Sequence, residues 1–190
     1  QAAELIKQRI GLAELDVHFL TGGTQTNLTA ISAFLRPHEA AISANTGHVL
    51  VHETGAIEAT GHKVISVDSN NGKLTAEQVR TVVTGHGDEH MVKPRLVYLS
   101  QPTEVGTIYS RLEMEQISRV CRELGLWLFV DGARLGSALC AVGNDLTLLI
   151  LAELADAFYI GGTKNGALLG EALVIRAGGL KADFRYHMKQ

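Results

Sequence analysis

Only two cysteines, Cys121 and Cys140, occur in the 190 residues. They form no CxxC pair and cannot make a disulfide framework, so two small thiols in a reduced, cytoplasmic compartment are expected. Charge of one sign is equally scarce. With a formal net charge of −3 and no run of like charges, the chain offers no basic field to a phosphodiester backbone or to anionic lipid. Nucleic acid and membrane are therefore not expected as partners. No long apolar run exists either: the longest, at residues 146–154, is too short for a bilayer and is broken by Glu153. No secretory or transit segment, internal repeat or low-complexity tract is visible.

What is present is apolar. At 46% hydrophobic residues the chain can bury a sizeable core, and a single domain over residues 1–190 is expected. Short β-branched runs alternate with helical periods, the pattern of an α/β fold. Strands are expected at 16–20, 40–44, 63–67, 95–100, 127–131, 157–160 and 172–176, several of them apolar throughout, as strands covered on both faces must be. Helices are expected at 1–10, 26–35, 55–60, 75–84 and 111–124, with a short one after Asp131. Thr75 and Gln78 are spaced as a capping box. The polar stretch 85–94 reads as a loop.

Four segments carry candidate chemistry. In YIGGTKNG (159–166) a lysine, Lys164, stands among glycines and small residues. An amine that attacks a carbonyl must be uncharged, and a tight packing environment that desolvates it favours that state; the plainer alternative is an exposed loop lysine. In LFVDGARLG (128–136), Asp131 sits at the carboxyl end of an apolar strand, where ligand sites of open α/β sheets lie. A carboxylate there suits a protonated ring nitrogen, or else caps the next helix. In LTGGTQTN (20–27), a strand runs through Gly22 and Gly23 into a helix, an arrangement that binds phosphate, with Thr24 as a further donor. In NTGHVLVHETG (45–55), His48 is placed to stack on a flat ring or to move a proton. His48, His52 and Glu53 lack the H-E-x-x-H order, and no metal site is expected.

Taken in order, GGTQTN, GHVLVHETG, SQPTEVGT, VDGAR and GGTKNGA resemble the threonine aldolase and β-eliminating lyase group of pyridoxal-phosphate enzymes, from about Leu20 to the end. The resemblance implies a three-layer αβα sandwich with a mixed, mostly parallel seven-stranded sheet, the large domain of the aspartate-aminotransferase type of fold. It implies pyridoxal 5′-phosphate as cofactor, Lys164 as its Schiff-base lysine and Asp131 as partner of the pyridine nitrogen. Gly22, Gly23 and Thr24 would hold the phosphate. His48 would stack on the ring and take a proton from the substrate hydroxyl, Arg134 would bind the substrate carboxylate, and Gln101 and Glu104 would flank the ring and its phenolic oxygen. The family often has asparagine near the Gln101 position. The amino-terminal substrate loop and carboxyl-terminal small domain are expected to lie outside these residues.

The activity so implied is cleavage of a β-hydroxy-α-amino acid to glycine and an aldehyde, by a homodimer or homotetramer. Another β-eliminating lyase or an aminotransferase of the same fold is the nearest competitor, and a non-enzymatic nucleotide-binding module the competitor from a different class.

Overall fold

The computed structural model describes residues 1–190. Along the chain lie α1 (Ala2–Ile10), β1 (Asp16–Leu20), α2 (Gly23–Phe34), β2 (Glu39–Ala44), a one-turn α3 (His48–Val51) and a 3-10 turn (Glu58–Thr60). Next come β3 (Lys63–Val67), α4 (Ala76–Thr84), β4 (Lys93–Ser100), α5 (Arg111–Leu124), β5 (Trp127–Asp131), α6 (Leu135–Leu139) and α7 (Leu148–Leu154). The last elements are β6 (Ala157–Gly161), β7 (Glu171–Ile175), α8 (Gly178–Lys181) and α9 (Phe184–Lys189).

All seven strands form one sheet in the order β1-β7-β6-β5-β4-β2-β3. Only β7 runs against the rest, pairing antiparallel with both β1 and β6. The alternation of side chains along each strand sorts the core into two layers. Val97, Leu99, Leu128 and Val130 pack beneath α5 and α7 with Met114, Ile117 and Leu151. Leu96, Tyr98, Phe129 and Tyr159 face the other way, onto Ile31 and Phe34 of α2 and Phe184 of α9. Burying an apolar side chain of this size contributes about 1.5–3 kcal/mol, so both sheet faces are strongly specified. The mixed three-layer arrangement is the expected one.

Four local expectations change. Helix α2 starts at Gly23, not residue 26, so the glycine pair forms the helix entry itself. The helix expected at 55–60 is reduced to the 3-10 turn, because Thr54 and Gly55 have φ of 53° and 73°, a left-handed pair from which no α-helix can begin. The helix lies upstream, at His48–Val51. Strand β4 begins at Lys93, inside the expected loop: Lys93 pairs with Glu39 and donates its N–H to the His38 carbonyl at 3.0 Å. The run 146–154, to which the sequence reading gives no element, contains α7, entered through Thr147, whose side chain accepts from the Ile150 N–H. The capping box of α4 is formed as expected, and α5 carries a second one at Ser110 and Glu113.

One close approach shapes the carboxyl edge of the sheet. A Cβ at Gly132 would collide with the Tyr159 carbonyl oxygen and stand 3.0 Å from the Leu135 Cβ. Gly132→Ala should therefore lower stability by about 1–3 kcal/mol, through overpacking between the ends of β5 and β6. Urea unfolding checks it, and an unchanged midpoint would mean that the two strand ends part freely.

Candidate active site

Strand β5 is central, and Asp131 is its last residue. Alternation along three neighbouring strands brings Tyr98, Asp131 and Tyr159 to the face covered by α2. Asp131 is buried, and its carboxylate accepts four hydrogen bonds. Oδ2 takes Tyr98 OH at 2.5 Å and Asn27 Nδ2 at 3.0 Å; Oδ1 takes Tyr159 OH at 2.5 Å and the Ala133 N–H at 2.9 Å. A buried anion is tolerated only when its oxygens are satisfied in this way. Burial, and then the neighbouring carboxylate, push both tyrosine hydroxyls well above their usual value near 10, so both remain neutral donors.

A second carboxylate joins this one through an amide. Asn27, one helical turn after Gly23 in α2, is fully buried and also donates Nδ2 to Glu53 Oε1 at 2.6 Å. The same Glu53 oxygen lies 2.7 Å from His48 Nδ1. His48 is held at its backbone as well, where its N–H donates to Glu104 Oε1 at 3.0 Å; that oxygen also accepts from Ser100 Oγ at 2.6 Å. The hydrogen bond to Glu53 raises the proton affinity of His48 above its ordinary value near 6.5, against the opposing effect of partial burial.

A cleft of about 150 Å³ opens above this network, lined by Gly22, Gly23, Thr24, His48, Asp131 and Lys164, among others. Beside it a smaller recess is lined by His48, Glu104, Asp131, Arg134 and Lys164. At one end stands the amino terminus of the twelve-residue α2, whose first N–H groups have no intrahelical acceptor. A Cβ at Gly22 would meet nothing within 4 Å, and one at Gly23 would come 3.1 Å from Tyr159 OH. The glycine at 23 lets the helix end sit directly over that hydroxyl.

Asp131 and Lys164 thus line one cavity. Lys164, however, is exposed, which corrects the expectation of a packed, desolvating setting. Its loop closes on itself: the Gly162 N–H donates to the Gly170 carbonyl, and the Ala167 N–H to the Gly162 carbonyl. Gly166 and Gly170 have φ of 94° and 109°, so these glycines serve the turn and do not pack around the amine. Neither Lys164 nor Arg134 has a carboxylate partner among the ion pairs.

Gln101 is not brought to the cleft. Its buried amide is spent on Tyr109, accepting from the backbone N–H at 2.9 Å and donating to the carbonyl at 3.2 Å. Glu104, three residues later, reaches the recess in its place. Asn27, Glu53, Tyr98 and Tyr159 had no assigned role. Two of them had a readable signal, since period-two alternation puts Tyr98 and Tyr159 on the Asp131 face; Glu53 had none, because the chain leaves the helix at His52. No group of three or more His, Cys, Asp or Glu side chains is placed to hold a metal ion, and no helix is long and apolar enough to cross a membrane.

These residues fit pyridoxal phosphate: a helix entry with open glycines for the phosphate, a buried carboxylate for the ring nitrogen, an imidazole on one wall and an amine on the rim. The residues 3–185 match the model of the beta-eliminating lyase family. The low specificity L-threonine aldolase of Pseudomonas aeruginosa is 38% identical over 179 residues, covering 93% of this chain and 52% of that protein. The enzyme of the same name from Saccharomyces cerevisiae is 32% identical over 161 residues, covering 82% and 41%. A solved threonine aldolase from Leishmania major superposes with a TM-score of 0.98 at 52% identity, over 100% of this chain and 55% of that one. Aspartate aminotransferase from Thermus thermophilus shares the fold, with a TM-score of 0.73 at 18% identity. The chain spans about half the length of the curated relatives it matches. These matches set aside the reading as a nucleotide-binding module.

Proposed function

This chain belongs to the beta-eliminating lyase family, and from that premise we propose that it is the cofactor-binding large domain of a threonine aldolase. The observation that carries the proposal is the single cleft shared by Asp131, Lys164, His48 and the α2 entry. Pyridoxal phosphate, when bound there, supplies an electron sink for the bond that breaks between Cα and Cβ of the substrate.

The protein's own residues then have separable tasks. The N–H groups of Gly23 and Thr24 bind the phosphate at the positive end of α2. Asp131, whose carboxylate accepts from four donors, would hold the ring nitrogen in its protonated form. Lys164 carries the amine that anchors the cofactor. Arg134, free of any ion pair, would bind the substrate carboxylate and so orient the substrate in the cleft. His48 takes the proton from the β-hydroxyl.

The substrate is then a β-hydroxy-α-amino acid such as threonine, and the products are glycine and an aldehyde. The exposed Leu168 and Leu169 beside the exposed Lys164 support a homo-oligomer in which a second copy covers the site. The test is purified intact protein with L-threonine: acetaldehyde and glycine should appear in equal amounts. Transamination of threonine without acetaldehyde would sink the aldolase reading while leaving the cofactor site standing.

A further inference from the structure

The mechanism above leaves the buried Glu53 unused. Glu53 has a fully buried side chain, stands on the loop after α3 and lines neither the cleft nor the recess. Its Oε1 receives both of its hydrogen bonds, from His48 at 2.7 Å and from Asn27 at 2.6 Å, while its Oε2 has no partner. A carboxylate can only accept, so the imidazole nitrogen facing it must carry a proton. That fixes Nδ1 as the N–H and leaves Nε2 as the nitrogen with a lone pair. Asn27 in turn spends both hydrogens of one amide, on Glu53 and on Asp131, so the imidazole and the ring-binding carboxylate are fastened to a common buried strut.

We propose that Glu53 is a positioning residue that fixes the His48 tautomer with Nε2 free in the cleft, and that Asn27 ties this lock to Asp131. The inference rests on the reading of His48 as the proton acceptor. Orientation of an imidazole by a buried carboxylate is a recurrent way of keeping one ring nitrogen basic. The other charged or titratable groups facing the ring are Asp131, which favours its protonation, and Lys164, which opposes it. His52 stands 5.6 Å away ring to ring, Glu104 is bonded to the His48 backbone, and Arg134 lines the same recess.

Two substitutions in the intact holoenzyme separate charge from geometry. In Glu53→Gln, the amide oxygen can occupy the Oε1 position and keep both hydrogen bonds while the charge is gone. The acid limb of the kcat/KM profile should then move to lower pH, because the negative charge that favours the protonated ring is removed while the hydrogen bond stays. In Glu53→Ala, the ring is released, and kcat at the plateau should fall about tenfold to a hundredfold with KM little changed, several-fold more than in Glu53→Gln. Nitrogen-15 NMR of histidine-labelled protein supplies a readout independent of turnover: His48 should be Nδ1-protonated in the parent and in Glu53→Gln, and a mixture in Glu53→Ala. A lower melting temperature or cofactor occupancy with the acid limb and the tautomer unmoved would reduce Glu53 to a structural role and overturn the proposal. If Glu53→Ala does not fold, the limb and tautomer of Glu53→Gln decide alone. His48→Phe tells the two ideas apart: undiminished turnover there would refute the base assignment, whereas the tautomer measurement still judges the Glu53 lock.

Discussion

Lys164→Ala in the intact protein should abolish the visible absorption of the covalently held cofactor and lower turnover by about a thousandfold or more. The loss is large because no neighbour can replace the amine. Lys164 is the one lysine lining the cleft or its recess, and the other nitrogen bases there are His48, already bonded to Glu53, and the guanidinium of Arg134, which stays protonated. A nucleophile acts as a unit with its surroundings, so its removal costs far more than any one contact. The exposed position of Lys164 means that the substitution should leave stability within about 0.5 kcal/mol. Absorption spectra and thermal unfolding on the same preparation check both halves. A retained visible band would show that another amine holds the cofactor.

Asp131→Ala should act on the fold as much as on the chemistry. Removing that carboxylate strands two tyrosine hydroxyls, the Asn27 amide and the Ala133 N–H in a buried space, and leaves Glu53 without the strut that links it to the sheet. A cost of about 3–5 kcal/mol is expected, read as a large drop in the urea midpoint. Asp131→Asn keeps the shape but can accept at one oxygen only, so it should fall between the parent and alanine in stability. It should also lose turnover sharply, since a neutral amide does not hold a ring nitrogen in its protonated form. Equal stability of the parent and Asp131→Ala would show that the four donors find other partners.

The two substitutions differ because the two residues are placed by different forces. Asp131 lies at the end of an apolar strand, and the strand's alternation, readable from WLFVD, settles both its burial and the face it takes. Lys164 lies in a turn whose shape is set by local hydrogen bonds and left-handed glycines, so its small neighbours said nothing certain about burial. The same distinction explains Gln101 and Glu104. Both were read from one motif, but the amide of Gln101 is consumed by the Tyr109 backbone, and only Glu104 reaches the recess.

Sequence alone determined the alternation of strands and helices, the strand ends and glycine turns where a ligand could bind, and, by the order of five motifs, the kinship and cofactor. Those features are local or linear: hydrophobic period, turn chemistry and motif order survive in one dimension. Only the tertiary structure decided that Asp131 and Lys164 share a cavity, that Lys164 is exposed, and that Asn27 and Glu53 bridge the imidazole to the aspartate. Those depend on strand order and on contacts such as Asn27 to Asp131, 104 residues apart in the chain. Such a contact comes from packing a helix on a sheet, and no pattern along the chain encodes which buried polar atoms will meet.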